Sequence, residues 1–235
     1  MTKKGFSLIE TLIALGLSLL VMLMAFEFLG ITRSLFFKTK EAQENSQSIQ
    51  AALLKLRIDL IKAGFGLGEP LHAGVIEGIA VSEGSLTILS LDAKFVLATD
   101  ALSGEKRIPL EKTSGLSTGR QVCLATKENA EVRTIAGLEG KTIVLSEPLE
   151  ASYPAAYGSL LLLEEIRYYL DTRSSILRRK VNASPAQPLL DEANLFLPVY
   201  DREANLVKIS LAGNAIQERI YEFSVFPKNL GLAHP

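Results

Sequence analysis

From Thr11 to Phe26 no charged residue occurs, and Leu, Ile, Val, Met and Phe dominate. Extended back to Phe6 and on to Ile31, the apolar run carries only two charges, Glu10 and Glu27. A helix needs roughly 20 apolar residues to cross a bilayer core, so this run predicts a membrane span over about 6–31. The pattern then changes without a break. No proline occurs before Pro70, and KTKEAQENSQSIQAALLKLRIDLIKAG is rich in helix formers. Within it Ile49, Leu53, Leu56 and Leu60 recur at spacings of four, three and four, which is one face of a helix, and Leu54, Ile58 and Ile61 form a neighbouring stripe. The expectation is one helix from Phe6 to about Gly64, lipid-facing in its first half and amphipathic in its second.

GFGLGEP, with glycines at 64, 66 and 68 and Pro70, stops that helix. A dinucleotide-binding glycine fingerprint needs a strand before it and a helix after it. Here a helix precedes and no helical pattern follows, so the glycines are expected to turn the chain. Beyond them short β-rich runs alternate with Gly, Pro, Ser and Asn clusters: SLTILSL, KFVLATD, RQVCLAT, AEVRTIAG, KTIVLSEPL, GSLLLLEEIRYYLD, SILRRKV, NLVKISLAG and YEFSVF. Alternating charges in EEIRYYLD and SILRRKV suggest half-exposed antiparallel strands. The predicted class is α+β: a long N-terminal helix whose Leu53 and Leu56 stripe covers one face of a strand-rich antiparallel head.

Charge narrows the partners. Lys and Arg total 25 against 26 Asp and Glu, a net charge of -1, without the cationic surplus of a dedicated nucleic-acid binder. Cys123 is the single cysteine, so no intramolecular disulfide forms. His72 and His234 are the only histidines, leaving little material for a triad or a histidine metal site. Orientation rests on Lys3 and Lys4 before the span, which favour a cytoplasmic N-terminus, while Arg33, Lys38 and Lys40 beyond it pull the other way. The run ends MLMAFEFLG, with no small-x-small site of the kind that ends a secretory signal peptide.

The segment KKGFSLIETLIALGLSLLVM resembles the N-terminus of a type IV prepilin: a short basic leader ending in Gly5, then Phe6, then Ser-Leu-Ile-Glu opening an apolar helix. The resemblance implies that a prepilin peptidase cuts after Gly5 on the cytoplasmic face and methylates the new N-terminal Phe6. It divides the chain into a leader, 1–5, a helix, 6–64, and a globular head, 65–235. It also gives Glu10 a purpose. An acid in lipid costs on the order of 3 kcal/mol and persists where it finds a partner. Family resemblance implies that the partner is the Phe6 amine of an adjacent subunit, met as helices pack into a filament.

The order IRYYLD, SILRRKV, QPLLDEANLFLPVYD, LVKISL and YEFSVFPKNL is similar to the layout of minor pilins of the PilW kind and of the J-type minor pseudopilins of type II secretion. These resemblances imply a pilus-assembly, priming or tip-capping subunit, or a secretion pseudopilin. The implied partners are prepilin peptidase, other minor pilins and the major pilin through their helices, an inner-membrane assembly platform, and membrane lipid before assembly. The implied location is the inner membrane, single-pass with an extracytoplasmic head, and then the filament tip. Most pilins close a C-terminal loop with a disulfide, which Cys123 alone cannot supply, so another device must hold that edge.

A membrane-anchored enzyme or ligand-binding module is the competing class. Its candidates each have a plainer reading, and neither catalysis nor a cofactor or metal is expected. Cys123 sits in the apolar run QVCLA as a small hydrophobe. Glu164 and Glu165 are adjacent, so on a strand they point to opposite faces. Asp201, Glu203 and Asn205 alternate as in a calcium loop but lack its glycine and closing glutamate, which fits a hairpin turn. Arg178, Arg179 and Lys180 read as a solvated strand end.

Overall fold

The computed structural model describes residues 7–213 and 220–231. The chain divides into two compact units, Met1–Ser48 and Ile49–Pro235, and helix α1, Leu8–Ile61, contributes to both. In the first unit the apolar residues of α1 are exposed from Leu8 to Phe37. Some of its hydroxyls bond back to the helix, Ser18 Oγ donating to the Leu15 carbonyl at 2.8 Å and Thr32 Oγ1 to that of Phe28 at 2.8 Å.

In the second unit α1 ends at the glycine turn. Gly64 and Gly66 take φ of 72° and 71°, a left-handed conformation that suits glycine. The turn is stitched to the sheet: the Gly64 amide donates to the Leu89 carbonyl at 2.8 Å, and the Leu91 amide donates to the Phe65 carbonyl at 2.9 Å. Gly68 does not turn the chain; it opens a short helix, α2, Gly68–His72. Too brief to show a period, α2 is invisible to a pattern search.

Strands follow as β1 Ile79–Ser82, β2 Ser85–Val96, β3 Arg107–Pro109, β4 Gln121–Ala125, β5 Ala130–Glu139, β6 Thr142–Leu145, β7 Ser159–Asp171, β8 Ile176–Val181, β9 Gln187–Leu190, β10 Ala193–Asp201, β11 Leu206–Gly213 and β12 Tyr221–Val225, then a terminal turn of helix, α3, Lys228–Gly231. Among the described residues β1 to β9 form one antiparallel sheet and β10–β11–β12 a second. SLTILSL and KFVLATD, read separately from the sequence, are largely one strand. β2 runs to Val96 through a register shift between Leu91 and Ala93 that absorbs an extra residue.

β7 shows why the sequence pattern changes along one strand. It pairs with β2 along most of its length, while its other edge meets β4 from Ser159 to Leu162 and β8 from Ile166 to Asp171. Where β4 lies alongside, both faces are covered. Leu161 and Leu163 join Cys123 and Ala125 in the core beneath α1, while Leu160 and Leu162 join Val122, Leu124, Ile108 and Ile135 in a second core. Burial on both faces selects the continuous run SLLLL. Farther along, Ile166 and Tyr168 are buried and Arg167 is exposed, the alternation of a strand covered on one face.

Ile49, Ala52, Leu56 and Leu60 of α1 are buried in the first core and Leu53 packs against it half-buried. Leu54, Ile58 and Ile61, the neighbouring stripe, remain exposed. With Leu56 wholly buried, Leu56→Ala is expected to cost about 2–5 kcal/mol, read as a lowered Tm. An unchanged Tm for Leu56→Asp would contradict a core role for this position.

Candidate functional site

Three places along α1 carry polar groups that the fold singles out. The first is the opening turn of α1. The Ser7 carbonyl accepts hydrogen bonds from the amides of Glu10 at 3.0 Å and Thr11 at 3.2 Å, which sets Glu10 in the first turn, where the helix dipole favours an anion. Glu10 is exposed, and its carboxylate has no partner among the described residues. Around it Leu8, Ile9, Leu12 and Ile13 are also exposed. Gly5 and Phe6, the expected cleavage junction, lie outside the described residues, as does His234.

The second place is a buried polar cluster between α1 and the sheet. Asp59 lies on the buried face of α1, 1 % exposed. Its Oδ2 accepts from the Tyr168 hydroxyl and from Arg179 Nε at 2.7 Å, and Lys55 Nζ donates to Oδ1 at 3.2 Å. Burial alone would raise the Asp59 pKa. The hydrogen bonds from Tyr168 and Arg179, with the charges of Arg179 and Lys55, outweigh that and hold it below the ordinary carboxylate value. Burial pushes the Tyr168 hydroxyl up, and the neighbouring Asp59 carboxylate adds to it. The sequence did carry a signal, an acid three residues after Leu56 on the face predicted to be buried, where a charge requires a partner.

This cluster corrects the reading of Arg178, Arg179 and Lys180 as a solvated strand end. β8 lies between β7 and β9. Strand alternation puts Arg179 on the same face as the buried Leu177, towards Asp59, and puts Arg178 and Lys180 on the other. Arg178 pairs there with Asp171 at 3.0 Å.

The third place is the C-terminal clasp. Asn229 Nδ2 donates to the carbonyls of Ile61 at 3.0 Å and Ala63 at 3.2 Å, groups that the end of a helix leaves without internal partners. Leu230, 3 % exposed, fills the space beside Gly64 and Gly78 that a side chain there would occupy. Asn205 Nδ2 donates to the Pro227 carbonyl at 3.1 Å and ties the clasp to the β10–β11 turn. These contacts hold the C-terminal edge where a disulfide is impossible. Asn229→Ala is expected to cost about 1 kcal/mol and to speed amide exchange at Gly64 and Leu67, read by hydrogen-exchange mass spectrometry. Unchanged exchange there would show that the clasp adds nothing.

The remaining chemical candidates stand apart from one another. Cys123 is fully buried, and burial pushes its thiol up to about 12, away from a reactive thiolate. His72 is exposed at the end of α2. Glu164 accepts from Ser90 Oγ at 3.3 Å, whereas at Glu165 it is the backbone amide that bonds, donating to Asn182 Oδ1. Asp201 and Asn205 flank the β10–β11 turn, where Asp201 Oδ1 accepts from the Ala204 amide at 3.0 Å. No group of three or more His, Cys, Asp or Glu is arranged to hold a metal among the described residues. A hollow of about 580 Å³ beside Ser85, Arg167, Tyr169 and Lys180 opens on the outer face of β2 and β7.

Residues 1–26 match the family model described as the prokaryotic N-terminal methylation motif. That match supports a type IV pilin-like or pseudopilin-like N-terminus. α1 is the single helix among the described residues long and apolar enough to cross a membrane; its most apolar stretch has a mean hydropathy of 2.4 and none of it is buried. That supports membrane anchoring, with the globular head C-terminal to the anchor. No curated protein sequence matches the chain. Among solved structures, the Gp54 tailspike of Acinetobacter baumannii bacteriophage AP22, in complex with A. baumannii capsular saccharide, aligns at 12% identity and a TM-score of 0.30. That alignment covers 33% of this chain and 15% of the tailspike, too little to inform either fold or function.

Proposed function

We propose that this chain is a minor type IV pilin of the PilW kind, which helps to assemble, prime or cap a pilus. Prepilin peptidase removes residues 1–5 after Gly5 and methylates Phe6. The helix then waits in the inner membrane, with the head outside the cytoplasm, until the assembly platform feeds it into contact with other minor pilins and the major pilin. The observation that carries this reading is the coincidence of the methylation motif at 1–26 with an apolar helix that the fold leaves unburied. A plain anchor would need the apolar length but not the Gly5–Phe6 junction or Glu10. The work is mechanical and non-catalytic.

The same motif serves a J-type minor pseudopilin of type II secretion, and sheared filaments separate the readings. Quantitative proteomics should find this chain in sheared pili far below the main subunit. Its absence from pili, or its presence as their most abundant component, would overturn the minor-pilin reading.

A further inference from the structure

The second half of α1 carries two apolar seams, and the head uses one. Ile49, Ala52, Leu56 and Leu60 are buried. On the opposite side Leu54, Ile58 and Ile61 are 59%, 43% and 39% exposed, and Phe65, in the turn that follows the helix, is 59% exposed. Leu54, Ile58 and Ile61 are spaced by four and three, the alternation of a coiled-coil seam, narrow at about 60° of helix surface. Scattered exposed apolar residues need no explanation, but a continuous row of this kind marks an interaction surface.

The flanks of the seam identify the kind of occupant. The positions bordering it are Lys55, Arg57 and Lys62, with cations on both sides and no acid. Arg57 and Lys62 have no ion-pair partner among the described residues, and Lys55 reaches round to Asp59. In a helix pair these flanking positions meet the partner's flanks, where opposite charges attract and like charges repel. A second copy of this chain would set cations against cations. Anionic lipid suits the charge, but helices that lie on membranes present a broad apolar face, not a narrow seam.

We propose that the Leu54–Ile58–Ile61 seam docks an amphipathic helix of a different chain, one whose own apolar seam is bordered by Asp and Glu. The inference stands on the exposed seam and does not depend on which filament the chain joins.

The test uses the full chain in phosphatidylcholine nanodiscs, with a bimane label on Ala51→Cys at the upstream end of the seam; the other thiol, Cys123, is buried. Two synthetic helical peptides share one Leu seam, bordered by Glu in the first and by Lys in the second. The Glu-bordered peptide should shift bimane emission to the blue and bind about tenfold more tightly, equivalent to about 1.4 kcal/mol. Arg57→Glu combined with Lys62→Glu should invert the preference. Ile58→Asp should abolish binding without lowering Tm, because Ile58 is outside the core. Equal binding of the two peptides, or binding of neither, overturns the proposal. So does a blue shift without peptide, whether on concentrating the chain, which would assign the seam to self-association, or in phosphatidylglycerol discs, which would assign it to lipid.

Discussion

Glu10→Val is expected to reach the membrane as well as the unaltered chain does, or better, and to be lost from filaments. The carboxylate sits in the first turn of α1 among exposed apolar residues, where an unneeded acid costs on the order of 3 kcal/mol on insertion scales. If Glu10 were merely tolerated, removing it would improve insertion and change nothing else. If it pairs with the Phe6 amine of a neighbour, its loss leaves that ammonium unpaired in a low-dielectric setting, a penalty of several kcal/mol. Glu10→Asp should fall between, since the charge remains and the reach is shorter. The measurement compares membrane level with sheared-filament level for each variant, with processing after Gly5 followed separately. Incorporation of Glu10→Val at the unaltered level would mean that the carboxylate does not guide assembly.

The second large effect is in the head. Asp59→Ala is expected to destabilise the fold by about 3–5 kcal/mol, because Arg179 and the Tyr168 hydroxyl lose their shared acceptor in a buried site. Asp59→Ala combined with Arg179→Met should recover part of that loss, since an uncharged pair leaves no buried ion without a counter-charge. Acid gives an independent check. The Asp59 carboxyl is held below its ordinary value of 3.8. Its contribution is therefore fully present above the unfolded-state value and is lost as pH falls through the lower folded-state value. Melting curves against pH should show a steeper acid limb in the unaltered protein than in Asp59→Ala. Parallel curves for the two would show that Asp59 is not a stabilising acceptor.

What the sequence reveals and conceals follows from how local each signal is. A helix in lipid needs an unbroken apolar run, so the span, Glu10 and the stripe through Leu56 can be read from neighbours in the chain. The strand-rich class is legible for the same reason, because burial on one face leaves alternation and burial on both leaves a run such as SLLLL. Arg179 and Asp59 are 120 positions apart, and no local pattern joins them; Asp59 stands out only as an acid on the buried stripe, and Arg179 looks like an ordinary surface charge until β8 is placed beneath α1. α3 is four residues long, shorter than the period that would announce it, and the partners of Asn229 lie at the far end of α1. The merging of two expected strands into β2 depends on a register shift, a property of the pairing with β7 rather than of β2 itself.

The chemical start of the mature chain tests the pilin reading most directly. Mass spectrometry of the native protein recovered from sheared filaments is expected to show an N-terminal peptide beginning at Phe6 and carrying an added methyl group on its amine. Gly5, without a Cβ, lets a protease approach that junction closely. An N-terminal peptide still carrying Met1 to Gly5 in assembled filaments would contradict processing at this site, and with it the proposed pairing of Glu10 with a freed Phe6 amine.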